Sequence, residues 1–387
     1  MKAETTSIFL FILLFIGAGN LVEREAWAET NERTHEETAN LVAHGRYLAT
    51  IGVCEACHTP PAVMPEADQV EDLKLRSNPN WFQYLDNDRK MAGGVPFILR
   101  FGSTSSGFVS TSNITPDPET GIGNWSEEEI MSVLREGKRP GGGALFRFAP
   151  HTFYSSMAEE DARAIAVYLK TLPPVKNLVS PRSLPFPVAP AESVTSLKAA
   201  PKGQNLERAE YLMEAIVGCK ECHSYRGSDG QLVPFVGGDS SDPFIGVFRM
   251  GPDLPLREKE KGFAAFPYPG YAVLYGGNLT RFGLGGDWAH VSSERIAESM
   301  RTGVSAVHSD DDGRPKLLAH VMMWQFYRHM AQEDAMAIAQ YLKTLRYEKH
   351  EVPRQLQLFG DDWEGAFEAV FGEPPSENDK QIFGKTE

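Results

Sequence analysis

The chain has 387 residues, enough for two or three domains, and its 42% apolar content is that of an ordinary folded protein. Lys and Arg total 38 against 52 Asp and Glu, a formal charge of −14 that argues against nucleic-acid binding. The 35 Gly and 26 Pro point to long ordered loops, and all four cysteines fall in two short motifs.

The N-terminus reads as a secretory signal. Lys2 precedes an apolar run over residues 8–16, and the small-residue site Ala26-Trp27-Ala28 places cleavage after Ala28. The run is shorter than the ~20 apolar residues of a membrane span, so an uncleaved anchor is the weaker alternative. Residues 1–28 are therefore expected to be a signal peptide, and the mature protein to be periplasmic.

Next comes Cys54-Glu55-Ala56-Cys57-His58, and the same pattern returns as Cys219-Lys220-Glu221-Cys222-His223. Two thiols three residues apart, followed at once by His, form the attachment pattern of c-type haem. On one helical turn the sulfurs reach the two vinyl groups of a porphyrin, and the next side chain presents its imidazole to the iron. A zinc half-site would not require the His, and no strand–helix pattern of a dithiol oxidoreductase surrounds either motif. The expectation is two covalently bound haem c groups, held by Cys54 and Cys57 with His58, and by Cys219 and Cys222 with His223. Attachment outside the cytoplasm agrees with export.

Extending both motifs reveals a repeat. Helical patterns carrying Leu41, Tyr47 and Leu48, and Leu206, Tyr211 and Leu212, lead into the motifs. Loops of matched length end at Ser112-Asn113-Ile114-Thr115 and Gly277-Asn278-Leu279-Thr280. Then come Gly121-Ile122-Gly123-Asn124-Trp125 and a segment running from Gly283 to Trp288, each followed by a short helix with Ser126 or Ser292 as N-cap and Gly137 or Gly303 after its last turn. The clearest match is the last helix, residues 157–172 and 330–345, whose apolar residues recur at helical spacing. Pro173 and Pro174 stop the first copy. Residues 176–204 have linker composition and are expected to lie extended on the surface. In the tail, residues 347–387, Trp363, Phe367 and Phe371 fall four apart, which suits a helix packing on the second copy or a docking helix for a partner.

On these residues the chain resembles the class I cytochrome c fold. More closely it resembles the dihaem and multihaem cytochrome c subunits of periplasmic alcohol, aldehyde and sugar-acid dehydrogenases, through Asn113-Ile114-Thr115-Pro116-Asp117 and Gly121-Ile122-Gly123-Asn124-Trp125. The resemblance implies an all-α fold of two tandem cytochrome c domains with long ordered loops, at residues 38–175 and 205–346. Those subunits often carry three haem motifs, whereas this chain has two.

The family pattern places a distal Met ahead of the last helix. In the second copy that position is Met322, with Met323 where the family has Pro. In the first copy it is Ala149, which has no donor, so the sixth ligand is His151, Met157 or none. Asn113 and Asn278 are either distal-pocket donors or loop-shaping residues. Trp125 and Trp288 either line the haem edge or fill the core. His44, His290, His308, His320 and His329 have no paired counterpart in the other copy and are read as surface or structural, with His320 a reserve ligand.

The resulting functional expectation is an exported dihaem electron carrier. It takes electrons from a periplasmic dehydrogenase subunit and passes them to a cytochrome or oxidase, with any membrane association peripheral and through partners. The alternative is a dihaem enzyme such as a peroxidase, using a first iron left open by Ala149.

Overall fold

The computed structural model describes residues 36–60, 85–101, 105–146, 154–188, 197–227, 229, 231–238, 245–250, 270–283, 290–309, 313, 315–318, 322–352 and 356–360, and a few positions between 364 and 380. The expected signal peptide, Ala149, His151, Trp288, His320, and the Trp363, Phe367 and Phe371 triplet lie outside them.

Helices dominate. The first, α1, covers residues 36–51, and α2 is the motif helix Cys54–His58. Helix α3, Glu127–Glu136, begins as the sequence predicts: Ser126 accepts from the Glu129 amide, the Glu129 carboxylate accepts from the Ser126 amide, and Gly137 ends the helix at φ 67°. Helix α4, Glu159–Lys170, buries Ala162, Ile165 and Leu169 on one face. The same order then returns as α5 (Leu206–Ala215), the motif helix α6 (Cys219–Cys222), α7 (Ser293–Thr302), the short α8 (Trp324–Tyr327) and α9 (Gln332–Thr344). Helix α7 repeats the Ser and Gly ends, with Ser292 accepting from the Arg295 amide and Gly303 at φ 75°.

Helix α1 crosses α4 at Gly45, where a Cβ would collide with the carbonyl of Ala164. Close approach of two backbones needs the missing side chain. In the second half, Ala209 on α5 and Ala337 on α9 are both fully buried, so small residues again mark the first and last helices. The lysine near the end of each last helix ties down the turn before the capped helix. Lys170 donates to the carbonyls of Gly123 and Trp125 at 2.7 and 2.9 Å, and Lys343 donates to that of Val291 at 2.6 Å.

The loops hold short antiparallel pairings that an all-α reading does not anticipate. Strands β1 (Pro96–Phe101) and β2 (Ser105–Ser110) form a hairpin, as do β3 (Tyr225–Arg226) and β4 (Leu232–Val233). Strands β5 (Ile245–Met250), β6 (Gly270–Leu274) and β9 (Leu356–Gly360) form a three-stranded sheet, and β7 (Val304–Ser309) pairs with β8 (Pro315–Leu317). Long loops must satisfy their backbone amides and carbonyls, and pairing with a neighbouring loop segment does so without a helix.

One hydrophobic core runs through the described residues. It joins Leu48, Ile51, Met157 and Ile165 of the first half to Leu212, Ile216, Met330 and Ile338 of the second. The described residues between α4 and α5 contain no helix or multi-residue strand and are anchored to the first half. Asn177 donates to the Ala92 carbonyl at 2.9 Å, and the Ala200 amide donates to Glu160 at 3.0 Å.

Candidate functional site

The two motifs are delivered alike. Helix α1 is followed by Val53 in the left-handed region at φ 55°, and α2 starts at once. Helix α5 leads to Gly218 at φ 68°, and α6 starts at once.

Each motif histidine is oriented by a backbone carbonyl. His58 Nδ1 lies 2.7 Å from the Ser112 oxygen, and His223 Nδ1 lies 2.7 Å from the Gly277 oxygen. A carbonyl only accepts, so Nδ1 carries the hydrogen and Nε2 keeps its lone pair for a metal. Burial also lowers the proton affinity of both imidazoles, which favours the neutral ligand form. The matched loop ends in the sequence thus have a purpose: each returns the chain to its own histidine.

A second strand of backbone holds that return in place. The Gly93 amide donates to the His58 carbonyl at 2.7 Å, and the Gly237 amide to that of His223 at 2.9 Å. The Ile114 amide reaches the Met91 carbonyl at 3.0 Å, and the Leu279 amide reaches that of Phe235 at 2.7 Å. Met91 and Phe235 themselves take φ 62° and 64°.

Asn113 and Asn278 serve this loop, which decides between their two readings. The Asn113 side chain accepts from the Thr115 amide at 3.0 Å and hydroxyl at 2.8 Å, and donates to the Val175 carbonyl at 2.7 Å. Asn278 does the same with Thr280, at 2.8 and 2.7 Å, and donates to the carbonyl of Glu348 at 3.2 Å. Each amide therefore staples the end of its loop to the chain leaving its last helix. Trp125 packs partly buried against the core.

None of the four cysteines is in a disulfide. Burial pushes the Cys54 thiol up to about 11, and those of Cys57, Cys219 and Cys222 up to about 12. A tyrosine flanks each pair. Tyr154 donates to the Gly52 carbonyl at 2.9 Å, and Tyr327 to that of Val217 at 3.4 Å. Burial raises both phenols well above the ordinary tyrosine value, with the adjacent cysteines adding to the effect.

The short helix that follows Met322 reaches the chain ahead of the second motif through Tyr327, which bonds the Val217 carbonyl. Met322 and Met323 are partly buried against the core, and Met323 adopts φ 58° just before α8, the helix that bears Tyr327. Trp324 closes over Gly303 and donates to the Leu318 carbonyl at 3.2 Å. On the same helix, the Gln325 amide nitrogen and oxygen are both buried with no hydrogen-bond partner among the described residues. Paired thiols three residues apart, followed by an imidazole with Nε2 left open, fit a covalently held haem at both motifs.

In the first half, Met157 is fully buried, as is its counterpart Met330, and its carbonyl accepts from Arg135 Nε at 3.0 Å. His290 and His329 are exposed. His44 is not without an equivalent. It bonds Asp161 at 2.7 Å, and Arg208 occupies the corresponding place against Asp334. The sequence marks Tyr47 and Tyr211 as part of a helical pattern and His44 as surface or structural, and nothing in it singles out Arg208. The aligned tyrosines and aspartates were visible in the repeat, but what they touch was not.

No family model matches the chain. It is 26% identical over 318 residues to the gluconate 2-dehydrogenase cytochrome c subunit of Pantoea cypripedii, a match covering 79% of this chain and 59% of that protein. It is 27% identical over 356 residues to a dihaem cytochrome c-type protein of Cereibacter sphaeroides, covering 89% of this chain and 99% of that one. A fructose dehydrogenase cytochrome subunit of Gluconobacter japonicus is 27% identical over 222 residues, covering 54% of this chain and 39% of its own. The chain thus spans less than two thirds of the gluconate and fructose relatives and nearly all of the dihaem one. It resembles the c-type cytochrome subunits of dehydrogenases.

Proposed function

We propose that this relative of the dehydrogenase cytochrome c subunits is an exported dihaem electron carrier of two tandem cytochrome c domains. Its electrons would come from a periplasmic dehydrogenase and go on to a downstream cytochrome or oxidase. The observation that carries the reading is the duplicated site. Two Cys-x-x-Cys-His motifs each have the histidine Nδ1 held at 2.7 Å by a carbonyl of the returning loop.

Cys54 and Cys57 would hold one haem by thioether bonds, and Cys219 and Cys222 the other. His58 and His223 would be the proximal ligands, and Met322 the distal ligand of the second. The packed position of Met157 supports a core role for it, which leaves His151 or an open sixth position at the first iron. When bound, haem c supplies a reversible one-electron ferric–ferrous couple. The chain contributes backbone-locked imidazoles that need not reorganise on electron transfer and an apolar surround that favours the less charged oxidation state. The dihaem relative supports the count of two, and the dehydrogenase subunits support the kind of donor.

The test is haem quantitation and low-temperature EPR of the oxidised protein, made in a host that attaches haem c. Two covalent haems with low-spin ferric signals are expected. A preparation without covalent haem from a competent host would end this reading.

A further inference from the structure

The two halves trade hydrogen bonds in a reciprocal pattern. On α1, Tyr47 donates to Asp334 Oδ2 at 2.5 Å and accepts from the Ala331 amide at 3.2 Å. On α5, Tyr211 donates to Asp161 Oδ2 at 2.6 Å and accepts from the Ala158 amide at 3.1 Å. Tyr47 belongs to the first half and bonds the second, while Tyr211 belongs to the second and bonds the first. Ala158 and Ala331 are the N-cap residues of α4 and α9, and neither helix has a side-chain cap of its own. Each phenol therefore serves an end of the other half's last helix, where a backbone amide and a first-turn acid are both in need of a partner.

The remaining oxygen of each carboxylate is taken from within its own half. His44 Nε2 lies 2.7 Å from Asp161 Oδ1, and Arg208 Nε lies 2.9 Å from Asp334 Oδ1. The four groups facing the two phenols are thus Asp161, Asp334, His44 and Arg208. Both carboxylates are buried, Asp161 at 0% and Asp334 at 5% exposure, inside a core shared by both halves, while the His44 side chain is 39% exposed. Buried hydrogen bonds to a carboxylate are directional and are lost as a set when the helices shift. The residues also sit where orientation matters, because Tyr47 and Tyr211 are on the helices that run directly into the two Cys-x-x-Cys-His motifs.

We infer that Tyr47–Asp334 and Tyr211–Asp161 form a clasp that fixes the two motif-bearing halves in one mutual orientation, so that the two haems exchange electrons within the molecule. The inference rests on the dihaem reading above and assigns the four residues a positioning role.

The experiment compares the full-length holoprotein with the variant carrying both Tyr47→Phe and Tyr211→Phe. Haem is counted first. The distance between the two ferric irons is then read by pulsed EPR, and electron equilibration between the haems by flash reduction. The wild type should give one narrow distance distribution and rapid equilibration. The double variant should keep two haems and unaltered ligand spectra, yet lose the narrow distribution and equilibrate more slowly. Two haems with an unchanged distribution and rate would overturn the clasp while leaving the dihaem carrier intact. Fewer than two haems in the wild type would overturn the dihaem reading and the electron-exchange role with it. Should the double variant fail to accumulate, the two single variants carry the test. Each should broaden the distribution, and a narrow distribution in both would overturn the inference.

Discussion

Arg208 and Asp334 form a two-pronged ion pair, with Nε–Oδ1 at 2.9 Å and Nη2–Oδ2 at 3.0 Å. Both side chains are buried, at 9% and 7% exposure, and the same carboxylate receives the Tyr47 phenol. Planar fork geometry and full desolvation set this pair apart from the surface ion pairs of the chain, such as Lys176–Glu119, where both partners are 67% exposed.

Replacing Arg208 by Met keeps the bulk and removes the charge. Asp334 is then left buried with only neutral donors, a loss of about 3–5 kcal/mol for breaking one side of a buried pair. Lys176→Met should cost about 0–1 kcal/mol. Denaturant unfolding of the holoprotein measures both. The Arg208 midpoint should fall steeply, and equal small effects for the two variants would show that the buried pair contributes no more than a surface one.

Alkaline pH should loosen the same region. Burial, reinforced by the hydrogen bond to Asp334, raises the Tyr47 phenol, and burial with the charge of Asp161 raises that of Tyr211. The folded protein therefore holds these protons more tightly than the unfolded chain does. Their contribution is complete below the ordinary tyrosine value of about 10 and declines as pH rises above it. Unfolding measured between neutral and strongly alkaline pH should show stability falling beyond that point, with a shallower fall when both tyrosines are Phe. Parallel curves would show that other groups govern the alkaline limb.

The contrast between what the sequence reveals and what it hides follows from the range of each interaction. Ser126 and Ser292 as caps, Gly137 and Gly303 as stops and the last-helix periodicity are local, set within a few residues, and all appear where the pattern places them. The motif spacing is local too. By contrast, Ser112 and Gly277 hold the motif histidines through carbonyls 54 residues away, and a backbone acceptor has no residue-type signature. The Tyr47–Asp334 bond spans 287 residues. Tyrosine and aspartate at matched places in both copies were legible as a repeat. That each would bond the other copy depends on how the helices cross, which no single segment encodes.

Backbone strain distinguishes the two motifs. Val53 and Gly218 occupy equivalent left-handed positions, at φ 55° and 68°, just before the motif helices. A β-branched residue there is held against its preference, at a cost on the order of 1–3 kcal/mol, while glycine adopts it freely. Gly218→Val should therefore destabilise the holoprotein by about 1–3 kcal/mol. Val53→Gly should be neutral or stabilising by up to about 1 kcal/mol, because the relief is offset by the greater freedom of the unfolded chain. Thermal unfolding of the two variants checks the pair, and a loss of stability in Val53→Gly would mean that the valine side chain packs well enough to outweigh its strain.

On the proposed dihaem reading, the distal ligand of the second haem is expected from one of two neighbouring methionines. Met322 holds the family position, while Met323 takes the left-handed conformation at φ 58° that turns the chain into α8. A residue committed to that turn has its side-chain direction set by the turn, so Met322 is the one expected to supply the sulfur. A thioether favours the ferrous state, and its removal should lower the reduction potential of one haem. Met322→Ala should abolish the sulfur-to-iron charge-transfer band and make that haem high-spin or ligated by a substitute, with the other haem unchanged. Met323→Ala should keep the band and the potential and perturb only stability. Optical spectra with a potentiometric titration of both variants read the outcome. Loss of the band in Met323→Ala and not in Met322→Ala would move the ligand one residue along the chain, and its retention in both would place the sixth ligand outside this segment.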